Sequence, residues 1–213
     1  MSAWLSSFVF AAAVCAAPGA EVSSSAWVSS GELVKNKTLV RAGKTEIAAT
    51  LARLPKGLVN IKDYVGDDGA AVYQHQGDLT LDRSFANDDI VIVDGNLTIR
   101  GDYDDYSPGI GVLLVLGDFN VDDVLSWGSI AVAGKLASTG LVYANYNDFT
   151  FEVAGTVAAR ALVVSDKSAS YGNVDAAVEQ TDDGLQTGNA LRHFVPELMI
   201  DDLLDNAGDS DET

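Results

Sequence analysis

Between about Leu58 and Val164 the chain alternates apolar and polar positions in short runs, the period-two signature of strands with one buried side. The runs repeat. Aligned on Gly77, Gly95, Gly117, Gly134 and Gly155, spaced 18, 22, 17 and 21 residues apart, they fall into columns. Two positions before the glycine stand Val93, Val115, Val132 and Val153. Four before stand Val91, Leu113, Ile130 and Phe151. Two after stand Leu79, Leu97, Phe119, Leu136 and Val157. These columns are expected to point inward. The columns one and three after the glycine (Asp78, Asn96, Asp118, Lys135, Thr156; Thr80, Thr98, Asn120, Ala137, Ala158) are expected to point out. A third apolar run follows in the later repeats, at Val124-Leu125, Leu141 to Tyr143 and Ala161 to Val164.

Three short strands per repeat predict an all-β fold. The expected form is a short parallel β-solenoid of about five three-strand turns, right- or left-handed, stacked about 4.8 Å apart. Each glycine is expected to let the backbone turn a corner. The rival is an antiparallel sandwich, but Asp94-Gly95 is the one clear hairpin signal and the columns persist across repeats.

Helical spacing at Ile47, Leu51 and Leu54 predicts a short helix, started by Thr45 and ended at Pro55-Lys56-Gly57, that caps the first turn. Ser23 to Val40 reads as linker, and Ser165 to Gly188 as a polar loop. Pro196 opens a second helix whose Leu198, Met199, Leu203 and Leu204 could cap the far end, before an acidic tail from Gly208. The expected division is thus residues 1–57 (apolar start, linker, cap), 58–164 (solenoid) and 165–213 (loop, helix, tail). Ala3 to Ala17 is apolar or small and precedes Pro18-Gly19-Ala20, like an export signal, but lacks a basic start. The stretch is short for a membrane span. The sequence around Cys15 fits a lipoprotein box poorly. A cytoplasmic protein is expected, with export as the alternative.

Hydrophobic positions make up 47% of the 213 residues, enough for a core. Lys and Arg number 13 against 31 Asp and Glu, a net charge of −18. That balance argues against nucleic acid and suits a basic protein partner. Cys15 is the one cysteine, and His75 and His193 are the two histidines. Thiol metal clusters, internal disulfides and histidine-based triads are disfavoured. No cofactor or metal is expected.

Repeated apolar triplets followed by Gly-Asn-Leu or Gly-Asp-Phe, clearest at Val93 to Leu97 and Val115 to Phe119, resemble bactofilin-like, polymer-forming bacterial β-solenoids. The resemblance covers Gln76 to Val164. It implies a stacked coil, and for the family, end-to-end polymers through uncapped cores. This chain departs from that pattern in its two candidate capping helices, so a monomer is expected over a polymer. The resemblance extends to small capped members, some of which look like immunity proteins beside toxins.

The candidate partner-binding residues are Asp102, Tyr103, Asp104, Asp105, Tyr106, Asp122, Asp123, Trp127, Tyr143 and Tyr146. The first five form the densest acidic run, in the longest inter-glycine spacing. Such a cluster could attract Ca²⁺ or act as a carboxylate pair on a glycoside, but no calcium-loop pattern accompanies it. Its plain reading is a solvated loop. Trp127 and Tyr143 fit either a binding strip beside carboxylates or the closing of a core corner. His75, in an inward column, is expected to be a buried, hydrogen-bonded residue near the cap. Asn36-Lys37-Thr38 and Asn96-Leu97-Thr98 match the glycosylation triplet by composition alone. No catalytic residue is assigned. A non-enzymatic binder of a basic partner is the leading expectation, ahead of a self-assembling scaffold or an exported polysaccharide-acting solenoid.

Overall fold

The computed structural model describes residues 27–65, 70–105, 111–181 and 184–187. They form a parallel β-solenoid of three faces and six turns. The first face stacks β3 (Val72–Gln76), β6 (Ile90–Asp94), β9 (Val112–Val115), β12 (Ser129–Val132) and the first parts of β15 (Thr150–Ser165) and β16 (Ser168–Thr181). The second face stacks β4 (Leu79–Leu81), β7 (Leu97–Ile99), β10 (Phe119–Val121), β13 (Leu136–Ser138) and the middles of β15 and β16. The third stacks β5 (Ser84–Ala86), β8 (Tyr103–Asp104), β11 (Val124–Ser126), β14 (Leu141–Asn145) and the ends of β15 and β16.

Register follows the glycine alignment residue by residue. Leu79 pairs Leu97, Leu97 pairs Phe119, Phe119 pairs Leu136, and Leu136 pairs Val157. Leu113 pairs Ile130, and Ile130 pairs Phe151. Across the third face Val28, Phe85, Tyr103, Val124, Val142 and Leu162 form one buried stack. Matched registry of the inward positions gives each side chain an apolar neighbour above and below, which is how a narrow coil reaches interior packing density.

Four of the five glycines serve a purpose other than the expected one. Gly77 alone among the five has a positive φ, +87°. At the others a Cβ would meet the glycine one turn below: a Cβ on Gly95 lies 2.5 Å from the Gly77 carbonyl oxygen, and one on Gly155 lies 2.6 Å from that of Gly134. The column is glycine because successive turns approach too closely for any side chain. The following Asp or Asn brackets the same corner. Asp78 accepts the backbone N–H of Asn96, Asn96 accepts that of Asp118, and Asp118 accepts that of Lys135, each at 2.8 Å. Part of the acidic excess is therefore structural.

Three expected elements differ. The polar stretch after Ser165 is a sixth turn, β16, closed by an antiparallel strand β17 (Gly184–Thr187). Its backbone pairs with β15, so the preceding turn serves as its template and a strongly apolar sequence is not required. The supposed linker forms β1 (Trp27–Ser29), α1 (Ser30–Lys35) and β2 (Val40–Arg41). β1 extends the third face beneath β5, β2 pairs antiparallel with β3, and Val28, Leu33 and Leu39 close the core. These elements make the first cap. The helix expected to do so, α2 (Lys44–Leu51), begins after Gly43 rather than at Thr45, with Glu46 reaching back to the Gly43 N–H.

Together with α3 (Ile61–Val65), α2 lies on the outer side of the first face. Leu58, Ile61, Val65, Val72, Ile92, Val112 and Leu114 form a second buried cluster there, with Ile47, Leu51 and Leu54 packed against it. Residues 58–65 thus belong to this outer layer, and the coil starts at Val72. The fastening is Glu152, 1% exposed, which projects from β15. Its carboxylate accepts the backbone N–H groups of Val59, Asn60 and Ile61 and the Asn60 side-chain amide, at 3.0–3.3 Å. The apolar start, Tyr106, His193 and the Pro196 helix lie outside the described residues. No described helix is long and apolar enough to cross a membrane.

Candidate functional site

The third face carries the candidate residues, and strand alternation divides them. Tyr103 and Asp105 point inward and are buried, while Asp102 and Asp104 flank them on the outer side. Burial removes Tyr103 and Asp105 from any partner-facing surface. At one edge of the face Asp102, Asp122 and Asp123 meet where the second face turns into the third. The pairing of Tyr103 with Val124 sets Asp102 directly over Asp123, one turn apart. Partial burial, then the charges of Asp123 and Asp122, hold the Asp102 carboxyl above its ordinary range. Asp122 accepts from the Thr139 hydroxyl at 3.2 Å, and Asp123 accepts the Leu141 N–H at 2.5 Å.

The opposite edge is aromatic. Trp127 meets Tyr143 edge to face with centroids 5.5 Å apart, and the Asn145 amide donates to the Tyr143 hydroxyl at 3.0 Å. Leu125 and Tyr143 are stacked neighbours between the two edges, each half-buried. Around the corner Tyr146, 45% exposed, stacks on Phe149 at 5.7 Å, and Phe149 reaches Tyr64 of α3 at 5.7 Å. Tyr64 and Phe149 were not among the sequence candidates. They are 85 residues apart and meet because α3 packs on the first face. An aromatic at the start of the fifth turn was the available signal. Large, stiff aromatics at half exposure offer contact area at low entropic cost.

Behind this edge lies a buried polar network. Asp105 Oδ1 accepts the N–H groups of Trp127 (2.6 Å) and Gly128 (2.9 Å), and Oδ2 accepts the Ser126 and Tyr103 hydroxyls (2.9 and 3.3 Å). Asn87 donates to the Tyr103 oxygen at 3.1 Å. Lys167, 7% exposed, donates to the carbonyls of Gly128 and Asn145. Burial outweighs these hydrogen bonds at Asp105 and raises its carboxyl; burial followed by the Asp105 charge raises the Tyr103 hydroxyl well above 10. The same desolvation lowers Lys167 to about 8, against the opposing pull of Asp105. The network fixes the aromatic edge: without Asp105, two N–H groups beneath Trp127 lose their acceptor.

No family model matches this chain. No curated protein and no solved structure matches it either. Among the described residues no three His, Cys, Asp or Glu side chains gather as a metal site. His75, half-buried, has its ring nitrogens 2.9 Å from the Thr38 carbonyl and 3.2 Å from that of Asp78; a ring with one N–H donates to one of these acceptors at a time, and the nearer contact joins the cap to the first turn.

Lys167 has a testable signature. Below pH 8 both folded and unfolded chains carry its proton, and the burial cost is fully present. Between about 8 and 10.5 the unfolded chain keeps the proton and the folded chain sheds it, so stability rises with pH. Relative to Lys167→Met, the wild-type chain is expected to gain about 3 kcal/mol across that window. Urea unfolding of both proteins at pH 7, 9 and 10.5 measures it; parallel pH profiles would refute it.

Proposed function

We propose that the protein is a non-enzymatic binding module whose third face holds a basic protein partner, in the manner of an immunity protein neutralising a basic toxin. The single observation that carries this reading is the outer side of that face. Leu125, Trp127 and Tyr143 lie half-buried between Asp104, the Asp102/Asp122/Asp123 edge and the exposed Tyr146. An apolar, aromatic centre with an acidic rim on a chain of charge −18 is complementary to a cationic surface with an apolar middle. Rim carboxylates would speed encounter, and the aromatics would supply most of the affinity.

The same reading places the protein in the cytoplasm. It keeps the bactofilin-like kinship as a proposal, supported by the Gly-Asp/Asn ladder at the first corner. A photo-crosslinking residue at Tyr146, expressed in the native host, tests the reading. One dominant basic protein is expected, identified by mass spectrometry, with a yield that falls several-fold in Asp102→Asn/Asp104→Asn/Asp122→Asn. No cross-linked protein, or a yield indifferent to those changes, refutes it.

A further inference from the structure

A groove of about 420 Å³ opens beside the aromatic edge, between α3 and the start of the first face. Its floor is apolar, with Ile90 and Val112. Tyr64 and Phe149 stand in its wall, their centroids 5.7 Å apart and their planes inclined by 39°. The Tyr64 hydroxyl donates to the Asp148 carbonyl at 2.7 Å, which ties that ring to the loop bearing Phe149. Asp63, Asp88 and Asp89 line the same groove. Among the described residues, none of these three carboxylates is paired with a lysine or arginine, whereas Asp82 and Asp94 each hold an arginine at 2.7 Å. The Ser30 hydroxyl lies against Asp88 and 2.8 Å from Asp89, and its single proton is shared between them, a neutral donor that leaves their charge uncompensated.

Aromatic faces and unneutralised carboxylates over an apolar floor are the requirements of a cation carried on an alkyl stem. The volume, near the lower end of the ~300–1,000 Å³ range of ligand pockets, suits a side chain rather than a chain segment. A planar guanidinium can stack on a ring and fork onto two carboxylates at once; an ammonium does neither as well. We propose that this groove is the seat of an arginine side chain of the basic partner. The inference rests on the binding-module reading and gives it an anchor point.

The probes are acetyl-Gly-Arg-Gly-amide and acetyl-Gly-Lys-Gly-amide, titrated into the isotopically labelled full chain at 150 mM salt and followed by NMR. Arginine is expected to shift the amides of Asp63, Tyr64, Asp89 and Phe149, and to bind about fivefold more tightly than lysine. Asp63→Asn, an exposed change that leaves the fold intact, weakens it severalfold, and adding Phe149→Leu weakens it at least about tenfold in all. Shifts that are absent, that centre on Asp102 and Asp122, or that survive the double variant overturn the proposal. An undiminished Tyr146 cross-link in the double variant overturns the groove while leaving the binding module standing. A Tyr146 probe that captures nothing overturns both.

Discussion

Glu152→Ala is expected to lower the unfolding free energy by about 3 kcal/mol, within the range for losing charge-assisted hydrogen bonds to buried groups. One carboxylate on β15 accepts three successive backbone N–H groups and a side-chain amide at the entry to α3. Alanine leaves the Ile61 N–H, which is buried, without an acceptor. It also opens a void beneath a helix of five residues, too short to persist without tertiary support. Glu152→Gln keeps the shape and one acceptor oxygen, and is expected to cost about half as much. Urea unfolding gives both values. Hydrogen exchange should show protection lost at residues 61–65 first. A loss below about 1 kcal/mol for alanine would mean that the carboxylate is not the fastening described above.

A second large effect is expected at the last turn. The inward column of the third face ends on Glu179, which pairs with Leu162. Glu179 accepts a hydrogen bond from the Tyr171 hydroxyl at 3.0 Å, and the Tyr171 ring rests edge-on against Phe151. Every earlier turn places an apolar group or an aromatic body at the Glu179 position; this one places a charge. β17 already pairs with residues 178–181 on this face, so the inward charge of Glu179 and the polar tip of Tyr171 supplement that strand as guards against stacking by another copy. Tyr171→Val with Glu179→Val removes these side-chain guards and restores the apolar column. The double variant is expected to associate end to end, with a concentration-dependent rise in mass by analytical ultracentrifugation while the parent sediments as a monomer. A parent that already polymerises, or a variant that stays monomeric, would refute this.

Most of the coil was legible because its registry is written in residue type. A solenoid needs the same kind of side chain at the same place in each turn, so Leu97, Phe119, Leu136 and Val157 align in sequence as they stack in space. The sixth turn is not written in the sequence in the same way, because its inward positions hold Ala169, Tyr171 and Glu179, and because templating replaces apolar content. Gly172-Asn173-Val174 was the visible trace. The side-packed helices also left a trace: Val91-Ile92-Val93 and Leu113-Leu114-Val115 are continuous apolar runs, the mark of strands covered on two sides. The candidate face was half legible. Trp127 and Tyr143 meet at one edge, whereas Tyr146 lies around the corner on Phe149. The acidic run did not stay together, since alternation sends Tyr103 and Asp105 inward and turns much of the remaining acid into corner brackets. The groove was not legible, because Asp63, Tyr64, Asp89 and Phe149 meet through the packing of α3, which sequence spacing does not encode.

The pairing of β1 with β5 bears on how the chain assembles. Val28 is made 57 residues before Phe85, the strand neighbour it needs. Closing that first loop is the entropically expensive step, because a long stretch must be ordered before any stacking contact rewards it. Later turns each join an existing edge through contacts 17 to 22 residues apart, as in Phe119 on Leu97 and Leu136 on Phe119. The cheaper local closures between neighbouring turns are therefore expected to form first, with β1 docking beneath β5 afterwards. On a ribosome the coil is expected to lengthen turn by turn, its growing edge occupied by the next strand as it emerges.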